Sequence, residues 1–317
     1  MKTISNRKWT ISDAALAGRI KAWLVGQGGK AENTTGRHET WRVRQSDAQW
    51  TYYSTGTLYV TDSDDPALLE AQRHVDSLAG GRFVQPSGEF LVGLDETGKG
   101  EVFGPIVLAA VAFPQGLFRQ LEEIIGVADT KVSHQPRYWE ELFAKIQCYR
   151  ARGLDWAIEE ITPADADRFS TNRLLDRGYR RLLAQLAERI EIGRARVVLD
   201  DYGAGPALRE SLAALGAAGA ELVRTTHADD RYLECRLASL VAKREQQRAL
   251  EAIRKDKRYE LPGQELGSGN PGDRRTLAWL EAWHRTGKPW PSFVKQSFRT
   301  VEQIAGRKAP AKRHAPE

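Results

Sequence analysis

The chain has 317 residues, 41% hydrophobic and 28% charged, with a formal net charge of +5; that is enough apolar material for one large domain and a small one, and it excludes a disordered chain. Its first thirty residues scatter their charges and hold no apolar run of signal-peptide or membrane-span length, so a cytoplasmic location is expected. Cys148 and Cys235 are too few and too unpatterned for a disulfide framework or a zinc site and read as reduced thiols.

In chain order, residues 1–81 read as a small α+β unit. "SDAALAGRIKAWLVGQG" is a helical stretch, and "TWRVRQSDAQWTYYSTGTLYVTD" alternates apolar and polar residues around turns at Ser46-Asp47 and Ser54-Thr55-Gly56, which predicts a three-stranded meander. A helix over "DDPALLEAQRHVDSLAG" follows, with Pro66 at its start and glycines at its end. Residues 82–89, punctuated by Pro86 and Gly88, form a linker.

From Phe90 to residue 304 the order of elements is α/β. "FLVGLD" and "PIVLAAVAF" are buried strands joined by a glycine-rich turn and pair as a hairpin. "DWAIEEI", "ARVVLD" and "AELVRTT" are three more strands, "TNRLLDRGYRRLLAQLAERI" is an amphipathic helix, and "DRYLECRLASLVAKREQQRALEAI" is another, with Leu233, Leu237, Leu240 and Val241 on one apolar face. Residues 305–317 form a basic, disordered tail.

Charge is distributed unevenly: residues 1–61 hold nine Lys/Arg against four Asp/Glu, and residues 285–317 hold eight against two, so the middle is net negative by six. Basic ends around an acidic middle suit a chain whose ends grip a polyanion and whose middle holds cations, and a merely solvated surface gives the same counts.

The turn "GLDETGKGE" over residues 93–101 fits the first seven positions of a nucleotide-binding P-loop, but its eighth position is Gly100, not a hydroxyl residue. Asp95 and Glu96 also sit where such a loop must wrap a polyanion. Those carboxylates suit cations instead. Asp95 and Glu96 end the first strand of the hairpin, Asp200 ends "ARVVLD" beside a second candidate, Asp201, and Asp229 lies at the start of the long helix, where an acid is also an ordinary cap. If the first and fourth strands are neighbours, these acids converge, and divalent cations relieve their repulsion. Hard oxygen donors select magnesium or manganese, and a pair of such ions serves phosphodiester hydrolysis.

"GLDETGKGEVFGPIVLAAVAF" resembles the opening signature of the type 2 ribonucleases H, ribonucleases HII and HIII. The likeness continues through "DTKVS", "VVLDDYG", "HADDRYLECRLASLVAK", "GSGNPGDRRTLAWLEAW" and "PSFVKQSFRT", over roughly residues 90–303. It implies a ribonuclease H-like mixed sheet flanked by helices, and an endonuclease that cuts the RNA strand of RNA/DNA hybrids with two Mg2+ or Mn2+ ions, leaving 5′-phosphate and 3′-hydroxyl ends. The metal-binding, catalytic acids it implies are Asp95, Glu96, Asp200 and Asp229, the latter two chosen over Asp201 and Asp230. The substrate-binding residues it implies are Gly98, Lys99, Gly100, Lys131, Lys243 and Asn270. A hybrid duplex is the only partner implied, with a monomeric protein.

The two subtypes divide the sequence between them. "GKGEVFGP" and the small N-terminal unit are similar to ribonuclease HIII, which carries a TATA-binding-protein-like, nucleic-acid-binding domain there, whereas Asp229 and "GSGNPGDRRTLAWL" are similar to ribonuclease HII. In HII enzymes the G-S-G-Y-P tyrosine senses the ribonucleotide–deoxyribonucleotide junction; here that position is Asn270, whose amide cannot stack like an aromatic ring, so an HIII-like substrate preference is expected. Tyr202 and Tyr259 are the compensating candidates. Near the C-terminus, Trp290, Phe293 and Phe298 read as core, and Arg285, Lys288, Lys295 and Arg299 as nucleic-acid contacts.

Overall fold

The computed structural model describes residues 7–11, 13–61, 66–78, 83–125 and 136–306, in two compact units, Met1–Gln85 and Pro86–Glu317. In the first unit, alternation decides which side chains are buried. Along β3 (Glu39–Gln45) and β4 (Ala48–Tyr53), Trp41, Val43, Trp50 and Tyr52 point to one face and join β5 (Thr57–Val60) residues Leu58 and Val60. Helices α1 (Ala14–Gly26) and α2 (Pro66–Leu78) cover that face with Ile20, Leu24, Leu68 and Val75. Asp13 caps α1 by accepting the Ala15 N–H at 2.8 Å.

The expected meander is present as β3, β4 and β5, but the sheet has two further strands, β1 (Arg7–Thr10) and β2 (Lys30–Glu32), in the antiparallel order β1-β5-β4-β3-β2. Neither shows an alternating apolar pattern: β1 buries only Trp9, which stacks on Trp50 at 5.5 Å, and β2 buries nothing. The partner strands, rather than their own sequences, make them strands. On the sheet face opposite α1 and α2 the register sets Lys8, Tyr59, Thr51 and Arg42 in one row.

The second unit is built on a mixed sheet of order β10-β9-β6-β7-β8. Strands β6 (Phe90–Thr97) and β7 (Ile106–Pro114) form the expected antiparallel hairpin, and β8 (Asp155–Ile161) adds antiparallel to β7. On the other side β9 (Ala195–Asp200) runs parallel to β6, and β10 (Glu221–Thr225) parallel to β9. Between them in sequence come α3 (Phe118–Ile125), α4 (Pro136–Gln147), α5 (Pro163–Arg168), α6 (Thr171–Ala187) and α7 (Pro206–Ala217).

The helix expected after β10 is broken at Tyr232, whose extended backbone separates α8 (Ala228–Arg231) from α9 (Leu233–Lys255). Helix α6 closes one face of the sheet with Leu174, Leu175, Leu182 and Leu186 packed on Val92, Leu94 and Leu108, while α9 runs across β6 and β7 on the other. Beyond α9, α10 (Arg274–Arg285) and α11 (Arg299–Ala305) close an aromatic cluster of Phe103, Trp279, Trp283 and Phe293, with Tyr259, Trp290 and Phe298 packed against it. Phe293 is core, as expected, and Trp290, Phe298 and Tyr259 are partly buried against it.

One buried charge pair joins α9 to β9. Arg196 Nε donates to Glu234 Oε1 at 2.8 Å, with both residues almost wholly buried. Burial pushes the Glu234 carboxyl up and Arg196 pulls it back down. Arg196→Ala strands a carboxylate in the core, so thermal or urea unfolding of this variant is expected to show a loss of about 3–5 kcal/mol. Removing Glu234 as well, in Arg196→Met/Glu234→Leu, should recover most of it; equal losses in both variants would assign the effect to packing. Among the described residues, no helix is long and apolar enough to cross a membrane.

Candidate active site

The hairpin strand β6 delivers two carboxylates to opposite faces because neighbouring strand residues alternate. Asp95 falls on the α9 side and Glu96 on the α6 side. Asp95 is buried and its Oδ1 accepts the Glu96 N–H at 2.9 Å. The parallel register pairs Leu94 with Leu199, which sets Asp95 beside Asp200 at the ends of adjacent strands. Burial and Glu96, followed by Asp200 and Asp229, drive the Asp95 carboxyl well up, against a hydrogen bond from Ser239 on α9 that lowers it. The Asp200 carboxyl is also raised, by burial and by Asp229, while the backbone N–H groups of Ala228 and His227 oppose the rise.

The two members of each ambiguous acid pair have different surroundings. Asp201 accepts the N–H groups of Gly203 and Ala204 at 3.0 and 3.3 Å and pairs with Arg224 at 3.2 Å, so its lone pairs are spent on the loop after β9. Asp230 is exposed and binds Arg236 at 3.2 Å, whereas Asp229 is buried. Arg236, itself buried, donates from Nε to the Asp229 carbonyl oxygen at 2.9 Å and stands 3.9 Å from its carboxylate.

Glu96 is held from two sides. Tyr179 of α6 donates its hydroxyl to Glu96 Oε2 at 2.5 Å, and Lys99 Nζ lies 3.3 Å from Oε1. Behind Tyr179, Tyr202 stacks at 5.6 Å, donates its own hydroxyl to buried Asp176 at 2.6 Å, and sits under the Lys99 ammonium at 5.4 Å. Asp176 also accepts the Gly205 N–H. Burial and nearby carboxylates push both phenols up, which keeps them neutral donors. Tyr179 and Asp176 carry no sequence signal as site residues, and Tyr202 is a candidate only as a compensating ring; the loop after β9 folds onto Asp176 through Tyr202 and Gly205.

The glycine-rich turn is shaped by contacts that no side chain could replace. Gly98 has φ +87°, and a Cβ there would lie 2.4 Å from the Pro105 carbonyl oxygen, while the Cβ direction of Gly100 is open. The turn is anchored at its end by the Val102 N–H, which donates to Gly269 O at 2.7 Å and so brings the "GSGN" loop alongside. Asn270 in that loop is exposed; its Oδ1 accepts the Gly272 N–H at 2.8 Å, an internal turn bond. Lys243 is a half-buried residue of α9. Lys131, with the rest of "DTKVS", lies outside the described residues, as does the tail from residue 307. Lys295 departs from its expected role as a surface contact: it is 1% exposed and beneath the turn.

Among the described residues, no three His, Cys, Asp or Glu side chains stand together as a ready-made metal cage. The donor set nonetheless fits hard divalent cations: all four acids offer oxygen, and the Asp95 carboxyl is raised first by burial and then by its neighbouring carboxylates, whose repulsion a cation would relieve. A nucleophilic-cysteine alternative has no support, since Cys235 is buried with its thiol pushed well up and Cys148 is a lone exposed thiol.

A family model described as Ribonuclease HII matches residues 92–301. A ribonuclease HII of Thermococcus onnurineus (strain NA1) is 31% identical over 219 residues, 68% of this chain and 89% of its own length. Among solved structures, the ribonuclease H2 from Pyrococcus horikoshii OT3 aligns with TM-score 0.55 and 28% identity over 68% of this chain and 97% of its own. Bst-RNase HIII, solved in complex with Mn2+, aligns with TM-score 0.55 and 16% identity over 95% of this chain and 98% of its own.

Proposed function

The chain belongs to the ribonuclease HII family and is a type 2 ribonuclease H acting on RNA/DNA hybrids; from that premise we propose which residues do the chemistry and which hybrids are preferred. The carrying observation is the β6/β9 register, which sets Asp95 beside Asp200; Asp95 also feels Glu96 and Asp229, and Asp200 feels Asp229. Asp95, Glu96, Asp200 and Asp229 hold divalent cations, magnesium or manganese, which when bound activate a water and offset the charge on the leaving oxygen. The protein's own residues supply position. Tyr179 fixes the Glu96 carboxylate in one rotamer, Arg236 offsets part of the charge on Asp229, and Ser239 orients Asp95.

The Gly98–Lys99–Gly100 turn lies against the RNA strand, Lys99 near a phosphate, with Lys243, Asn270 and Lys131 as further contacts. Hydrolysis leaves 5′-phosphate and 3′-hydroxyl ends. The N-terminal unit, with Lys8, Arg42 and Tyr59 on the sheet face opposite its helices, is a second nucleic-acid-binding surface.

Within the type 2 enzymes we favour HIII-like cleavage of continuous RNA tracts. Two observations support this: the ribonuclease HIII fold accounts for the N-terminal unit as well as the catalytic one, and Asn270 offers an amide already engaged in its own turn where a stacking ring would be needed. Of the two compensating candidates, Tyr202 stands beside Lys99 of the turn with its hydroxyl committed to Asp176, and Tyr259 packs against Trp283 and Phe293. Incubating the protein with Mg2+ or Mn2+ on two end-labelled duplexes, one with a continuous RNA strand against DNA and one with a single ribonucleotide in DNA, should give cleavage of the first alone. Equal cleavage of both would move the assignment to HII-like junction recognition.

A further inference from the structure

Lys295 lies in the segment between α10 and α11, which the sequence presents as a basic surface. In the folded chain its Nζ donates to the carbonyl oxygens of Gly98 at 2.5 Å and Glu101 at 2.7 Å, and its backbone N–H donates to Val102 O at 2.8 Å. One residue from the far end of the domain therefore grips both ends of the glycine-rich turn. The neighbouring segment is fixed in turn by Asp167 of α5, which accepts the N–H groups of Gln296 and Ser297, each at 2.8 Å.

A buried ammonium is an expensive way to fill this space. Burial lowers its pKa to about 8, with Glu101 and Asp167 opposing the drop; at neutral pH it remains charged, with all three N–H donors available. A methionine of similar length would pack there without that cost but could not hold two carbonyls. With both carbonyls drawn inward, the N–H groups of Lys99, Gly100 and Glu101 donate, among the described residues, to no backbone carbonyl. Open space lies on the Cβ side of Gly100. Successive free N–H groups above a buried cation make a concavity suited to a phosphate or ribose oxygen.

We infer that Lys295 is a positioning residue for the RNA strand: it holds the 98–101 turn in the conformation that offers its N–H groups to substrate. This deepens the proposed function and rests on it. Removing the ammonium releases the carbonyls and lets the turn rotate, while the acids on β6, β9 and α8 stay where their own contacts keep them. The loss therefore falls on binding of the RNA strand, not on the cation site.

The test compares full-length wild-type protein with Lys295→Met and Lys295→Arg. The readouts are kcat and KM on a continuous RNA/DNA hybrid, competition by DNA duplex of the same sequence, and calorimetric titration with MnCl2. Lys295→Met is expected to raise KM about tenfold with kcat within about threefold, the signature of lost uniform binding. It should also erode the preference for hybrid over DNA duplex and leave Mn2+ affinity unchanged. Lys295→Arg, which keeps the charge and the donors, should recover part of the KM and the preference.

Wild-type KM and hybrid preference in Lys295→Met would overturn the inference, and so would a parallel loss of Mn2+ affinity, which would make Lys295 a general support of the acid site. If Lys295→Met does not fold, Lys295→Gln keeps an amide donor and is judged by the same readouts. Failure of the wild-type protein to cleave the hybrid would instead strike the functional reading itself.

Discussion

Asp95→Asn is expected to abolish hybrid cleavage, lowering kcat by about 10³-fold or more, the scale of loss when a charge acting on the transition state is removed from a water-poor site. The same substitution should make the metal-free protein more stable. In the folded chain the Asp95 carboxyl is raised by burial and by Glu96, Asp200 and Asp229. For a carboxyl raised on folding, the folded state binds protons more tightly than the unfolded one, so stability falls as pH climbs from the ordinary carboxylate range through the raised value. At neutral pH that cost is present, and a neutral, isosteric amide removes it. Melting curves in EDTA should place Asp95→Asn at or above wild type, and added MnCl2 should raise the melting temperature of wild type much more than that of the variant. Retained cleavage would sink the assignment of Asp95. A lower metal-free melting temperature would show that the carboxylate is structural. Hybrid binding by the variant should stay within a few-fold of wild type, since the turn and the sheet surfaces are untouched.

Gly93→Ala should fail to yield a folded catalytic unit. Strand β6 and helix α9 meet backbone to backbone at this residue: a Cβ on Gly93 would lie 2.0 Å from the Glu234 carbonyl carbon and 2.1 Å from its oxygen. No side-chain rotation relieves a contact with helix backbone, so the helix must lift from the sheet, at a cost beyond the roughly 1–3 kcal/mol of ordinary overpacking. Lifting α9 also withdraws Ser239 from Asp95 and separates Glu234 from Arg196. Gly100→Ala is the matched control, because a Cβ there meets nothing within 4 Å. Soluble yield and circular dichroism of the two variants decide the matter: a Gly93→Ala protein melting within a few degrees of wild type would mean that α9 can shift without loss.

The strand pattern around the site was legible because buried strands advertise themselves as apolar runs and because acids at their ends break those runs. "FLVGLD" and "ARVVLD" show both features, and their pairing follows once the two are neighbours. Within Asp200-Asp201 and Asp229-Asp230 the preference for Asp200 and Asp229 came from the family resemblance; the fold adds that Asp201 pairs with Arg224 and that Arg236 lies near both Asp229 and Asp230. Tyr179 escaped notice because its helix is amphipathic throughout and a tyrosine on the buried face reads as packing; only the fold puts its hydroxyl on Glu96. Lys295 was misplaced for the opposite reason, since a lysine among basic and aromatic residues looks solvated until two carbonyls are found beneath the turn. Strands β1 and β2 carry no periodicity of their own, and the break at Tyr232 has no glycine or proline to announce it.

The parallel pairing of β6 with β9 also bears on the order in which this unit is built. Its hairpin with β7 is local and closes quickly, but Asp95 meets Asp200 only after a chain loop of roughly a hundred residues has been closed, and such contacts set the pace of folding. Until then the acids are spread along an open chain and hold no cation well. A metal that binds only the finished arrangement then acts on one side of the kinetic barrier: it slows unfolding and leaves the folding rate as it was.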